Sequence, residues 1–94
     1  MSLETPKTFT LITPIQAGDV EVTELILREP TAGDIEKLQA DQEKHGAATA
    51  LILLIAKQTK VAAVDVRKVS ARDFNKLSGY LGSFLESGEK SSES

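Results

Sequence analysis

VTELILREPTAGD, residues 22–34, carries the change from strand to helix, and the rest of the chain is organised around it. Its first half, Val22–Leu27, is rich in β-branched and aliphatic residues, the composition of a half-buried strand. Its second half is a helix start. Pro30 fits just before a helix, and Thr31 stands three residues ahead of Asp34. The hydroxyl can accept a hydrogen bond from an unpaired first-turn amide, while the acid sits near the positive end of the helix dipole. Asp is shorter than the Glu of a capping box, which leaves the reciprocal bond open.

Towards the N-terminus, Phe9–Ile15 (FTLITPI) reads as a strand, with Phe9 and Leu11 on one face at a period of two. Gln16-Ala17-Gly18-Asp19 supplies a turn in which Gly18 is free to take positive φ. Val20–Arg28 is then the returning strand of a hairpin. That strand changes phase: Val20 and Val22 alternate, and Leu25 and Leu27 alternate on the opposite parity. A β-bulge near Thr23–Glu24 would put both pairs on one face. Alternatively, Ile26 lies inward and both faces are partly buried. Residues 1–8, with Pro6, form a flexible lead-in.

Towards the C-terminus, a first helix over about Ala32–Glu43 buries Ile35 and Leu38, and His45-Gly46 is its stop, with Gly46 in a left-handed cap. A second helix follows over about Ala47–Lys60, or the two form one helix kinked at Gly46. Val61–Val69 is a connector with room for one helical turn. Ser70-Ala71-Arg72-Asp73 repeats the hydroxyl-then-acid start, and Val69 and Phe74 occupy the positions of a hydrophobic staple. The third helix runs from about Ala71 to Leu85 or Glu86. Residues 87–94 (SGEKSSES) have nothing to bury and read as a disordered tail. The expected fold is α+β: an N-terminal antiparallel β-hairpin followed by about three α-helices, one small domain over residues 9–86.

Composition excludes several function classes. The formal net charge is -3, with eleven basic residues spread among fourteen acidic ones. No Lys/Arg run offers the electrostatic footprint of a nucleic-acid binder. There is no cysteine for a disulfide, a thiolate metal site or a thiol nucleophile. No apolar run approaches the length that spans a bilayer, and no leader pattern stands at Met1–Thr10, so the expected location is the cytoplasm. The single histidine, His45, falls in a turn without a nucleophile beside it. Glu21, Glu24 and Glu29 read as a solvated strand face rather than a carboxylate dyad or cation site. Catalytic, cofactor and metal residues are therefore all expected to be absent.

The segment Ala47–Ala56 (AATALILLIA) remains to be explained. At about 100° per residue, Ala47, Ala48, Leu51, Leu54 and Ile55 form one core-facing arc, and Thr49, Lys57 and Lys60 mark the polar side. Leu53 projects between Thr49 and Lys57, and Ile52 lies at the border. Either another element of the chain covers both, or they serve self-association or a protein partner. On the third helix Phe74, Leu77, Leu81, Phe84 and Leu85 form a stripe widened by Tyr80, which reads as core before it reads as a partner seam. Gly79 and Gly82 weaken its last turns, each by about 1 kcal/mol relative to Ala.

The order of elements, with Val22–Asp34 and Val69-Ser70-Ala71-Arg72-Asp73-Phe74, resembles the small tail assembly chaperones of contractile-tailed phages of the Mu and P2 type and of related prophages. The likeness covers roughly Phe9 to Leu85, and its motifs are fold-specifying rather than catalytic. It implies a protein that engages the long, helical tape measure protein in the host cytoplasm, keeps it competent until the tail tube polymerises, and is absent from the finished virion. The tail-tube protein and a second copy of the chain are further partner candidates. The partner-binding residues implied are Ile52 and Leu53, extended by Tyr80, Leu81, Phe84 and Leu85, because helix-in-groove binding uses such apolar rows. The competing readings are a small homo-oligomeric structural subunit of the particle and a regulatory adaptor for a host protein.

Overall fold

A computed structural model describes residues 6–93, the side chains of residues 85–93 excepted. The order is β1 (Lys7–Ala17), β2 (Val20–Leu27), α1 (Ala32–His45), α2 (Ala47–Thr59), the single turn α3 (Ala63–Val66) and α4 (Ala71–Glu93). An antiparallel hairpin followed by helices is the expected architecture, and α3 is the one turn allowed for in the connector. β1 starts at Lys7, two residues earlier than the sequence pattern places it. The rest of the expected lead-in, residues 1–5, lies outside the described residues. α4 continues past the boundary expected at Leu85 or Glu86 as far as Glu93. Residues 87–93 contain no proline, so nothing there removes an intrahelical donor and stops the helix.

The hairpin turns at Gly18-Asp19, with Gly18 at φ 64°, and pairs Ala17 with Val20. Its irregularity lies in β1, not at Thr23–Glu24 of β2. Thr10 pairs with Glu24 and Ile15 with Val22, so Leu11–Pro14 face Thr23 alone. Pro14 is the physical reason: it has no N–H to give a ladder, and such residues are confined to edges and bulges. Leu25 and Leu27 turn inward, Val22 is half-buried, and Val20 and Ile26 face solvent. Neither sequence reading of β2 holds completely: Ile26 is not inward, and only one of the two valines is.

α1 and α2 form an antiparallel helical hairpin about Gly46, which excludes one kinked helix. Gly46 closes α1 by donating to the Gln42 carbonyl at 2.9 Å and also opens α2. Its φ 95°, ψ 162° is a positive-φ conformation, although not the left-handed helical one. Residues with a Cβ essentially do not occupy that region. A Cβ built there meets no atom within 4 Å, so the cost of substitution is purely backbone. Gly46→Ala is expected to lower stability by about 1–3 kcal/mol, measured by urea denaturation. A loss below a few tenths would mean that the junction relaxes.

One core joins the layers. Leu11, Ile15, Leu25 and Leu27 from the hairpin meet Leu38, Ala50, Leu54 and Ile55 from the helical hairpin, with Val66, Leu77 and Leu81. α2 packs on α1, α3 and β2, whereas α4 packs on β1. The buried face of α2 is rotated from the expected arc: Ala50 is buried, while Ala47 and Ala48 are exposed and Leu51 is half-buried. The first turn lies beside the Gly46 junction, outside the packed layer, and the small side chain of Ala50 fits where α1 comes close.

Candidate functional site

Both helix starts read from the sequence are built, and each does more than cap. At α1, Asp34 N–H donates to Thr31 Oγ1 (3.1 Å) and Thr31 N–H to Asp34 Oδ2 (3.0 Å), so the reciprocal bond left open above is made. The other oxygen of Asp34 accepts from Lys57 Nζ at 2.6 Å, tying the start of α1 to the end of α2. The Lys57 hydrogen bond and the Thr31 amide outweigh burial and hold the Asp34 carboxyl below its ordinary value. At α4, Asp73 N–H donates to Ser70 Oγ, and Ser70 Oγ–H returns to Asp73 Oδ2. Val69 and Phe74 are both half-buried against the core, as a staple requires.

Asp73 is also the partner of the β1 bulge. Its carboxylate accepts from Ile12 N–H at 2.9 and 3.0 Å and from Thr13 N–H at 3.2 Å. The side chain is buried, with 2% of the residue exposed. Burial pushes its carboxyl up, but the Ile12 and Thr13 amides, the Ser70 hydroxyl and the Lys76 charge together hold it below its ordinary value. The amides that the bulge removes from the strand ladder are thus satisfied by the helix cap. This explains why the second motif occurs where it does, and makes Asp73 a structural residue.

The expected partner-binding residues fall on two flanks. Leu53 lines a small groove between α1 and α2, beside Leu38 and Leu54 and bordered by the Asp34–Lys57 and Lys37–Asp41 ion pairs. Ile52 is half-buried against the core, about 100° further round α2. On α4, Tyr80 is half-buried and makes edge-on contacts with Phe9 (5.4 Å) and Phe84 (5.2 Å). Leu81 is 1% exposed and belongs to the core, so it offers no surface in this fold. The Leu85 side chain lies outside the described residues. The structure therefore brings Tyr80 and Phe84 together, and it sets Ile52 and Leu53 on another helix.

A second surface was not read from the sequence. The outer edge of β2, with the end of α2 and Lys60-Val61, borders an open groove of about 460 Å³. At its end, Gln58 Oε1 accepts from Arg28 N–H and Gln58 Nε2 donates to Arg28 O, both at 3.0 Å. Both backbone groups of Arg28 thus point away from β1. Backbone direction alternates along a strand, so those of Ile26 and Glu24 point the same way. The visible sequence signal was Ile26, whose parity opposes that of Leu25 and Leu27.

Among the described residues, no group of three or more His, Cys, Asp or Glu side chains could hold a metal ion. No described helix is long and apolar enough to cross a membrane. A family model described as "Phage tail assembly chaperone proteins, E, or 41 or 14" matches residues 8–86. The comparisons with curated proteins and with solved structures each return no match.

Proposed function

The chain belongs to the family of phage tail assembly chaperones, and from that premise we propose that it binds the tape measure protein and keeps it assembly-competent until the tail tube forms. The contractile-tailed, Mu- and P2-like setting, the host cytoplasm and absence from the virion belong to the same proposal. The observation that carries it, beyond membership, is α2. This helix is apolar on nearly every side, yet Leu51, Ile52 and Leu53 are only half-buried, and no further layer covers them among the described residues. A chaperone of this kind would lend such surface transiently to the apolar faces of a long helical client. Half-buried Tyr80 and Phe84 supply a second apolar contact on α4.

The test is co-expression of the full chain with the tape measure protein encoded in the same genome. Expected are increased solubility of the tape measure protein, co-purification of the two, and absence of the chain from mature tails. Failure of both solubilisation and co-purification rejects the reading, and retention in mature tails favours a structural subunit. Leu53→Gln is the matched surface probe, since an acidic replacement would crowd Asp34 and Asp41. It is expected to weaken co-purification while leaving the circular-dichroism spectrum and urea midpoint close to those of the parent. A variant that unfolds instead assigns Leu53 to the core.

A further inference from the structure

We propose that the free edge of β2 pairs antiparallel with the same edge of a second copy of this chain, about a two-fold axis at Ile26, joining two hairpins into one four-stranded sheet. An unpaired edge is a template for another strand, and here its side chains choose the strand. Glu24, Ile26 and Arg28 are exposed and alternate with buried Leu25 and Leu27. Read antiparallel about Ile26, the outward row is its own complement. Ile26, which is 48% exposed, meets the partner's Ile26. Glu24 stands opposite the partner's Arg28, and the symmetry makes that charge pair twice. An unrelated strand would need a base and an acid at these two spacings, which a second copy already has.

The backbone fits the same register. Ile26 lies two residues from Arg28, whose backbone groups turn to Gln58 and away from β1, so its N–H and C=O face the same outer edge and can exchange two hydrogen bonds with the partner's Ile26. At Arg28, pairing replaces the Gln58 amide by the backbone of the partner's Glu24, two hydrogen bonds for two. The contact is isologous and closes after two copies, because β1 occupies the inner edge of β2. This inference stands on the hairpin and is independent of tape measure binding.

The test is sedimentation velocity of the full chain over a concentration series, with the charge-reversal variants Glu24→Arg and Arg28→Glu and their combination. A concentration-dependent dimer is expected. Each single reversal replaces two attractive pairs by two repulsive ones and is expected to weaken dimerisation about tenfold or more. The double variant restores the pairing and is expected to recover most of the parent's affinity. Because the chain has no cysteine, Ile26→Cys gives an independent readout, which also decides the matter if a charge variant fails to fold. A short bis-maleimide should link two Ile26→Cys chains and leave Ile12→Cys chains, altered at the exposed β1 bulge, unlinked. A chain monomeric at millimolar concentration, single reversals without effect, a double variant no better than the singles, or equal cross-linking at both positions would each overturn the proposal.

Discussion

Asp73→Ala is expected to cost about 2–4 kcal/mol of folding stability, since losing a partner of a buried donor costs roughly 1–3 kcal/mol per group and the carboxylate serves three groups. Ile12 N–H and Thr13 N–H lose their acceptor, and Ser70 loses its reciprocal contact within the cap. Water can reach part of the gap because Ile12 and Thr13 are themselves exposed, which keeps the figure below the full sum. Asp73→Asn separates shape from charge. Its single amide oxygen can accept from the bulge, but its NH2 faces amide donors, so it should recover only part of the loss. A urea midpoint for Asp73→Ala within error of the parent would show that the bulge does not depend on the cap.

The same residue sets an acid dependence. Asp73 and Asp34 both have carboxyls held below their ordinary value in the fold. The unfolded chain therefore takes up these protons at a higher pH than the folded chain does. Their stabilising contribution is complete above the ordinary carboxylate value of about 4 and disappears as pH falls through the folded values. Thermal midpoints should be flat from neutrality down to about pH 5 and drop below about pH 4. In Asp73→Asn the drop should be shallower, because one of the two linked groups no longer titrates. An equally steep acid limb in that variant would assign the dependence to other carboxylates.

These two aspartates also mark how far a sequence can be read. Thr31/Asp34 and Ser70/Asp73 were legible as helix starts because a cap is local, spanning three residues. Their second partners were not, since Lys57 is 23 residues from Asp34 and Ile12 is 61 from Asp73. No local rule links positions so far apart. The bulge was visible on the wrong strand: the phase change in β2 is its consequence, while Pro14, which removes a ladder donor, lies across the hairpin in β1. The stripe on α4 was correctly divided between core and surface only in part, because wheel position alone does not separate Leu81 from Tyr80 and Phe84. For α2 the same wheel exposed the excess of apolar surface but placed its buried face one step away from Ala50.

Leu27→Ala against Ile26→Ala tests the central feature of the hairpin with neighbouring residues. Leu27 is 0% exposed and lies in the core with Leu25, Leu54 and Ile55, so its truncation should cost about 2–5 kcal/mol in transfer and cavity energy. Domains have total stabilities of only about 5–15 kcal/mol, so this variant should be strongly destabilised. Ile26→Ala removes a side chain from the solvent face and should cost about 0.5 kcal/mol or less, provided that stability is measured at concentrations where any dimer has dissociated. Urea denaturation of both, with unchanged m-values, gives the comparison directly. Equal costs would mean that both faces of β2 are buried. Unequal costs in the expected order assign Leu27 to holding the fold and release Ile26 for contact with another strand, because successive residues of a strand cannot share one face.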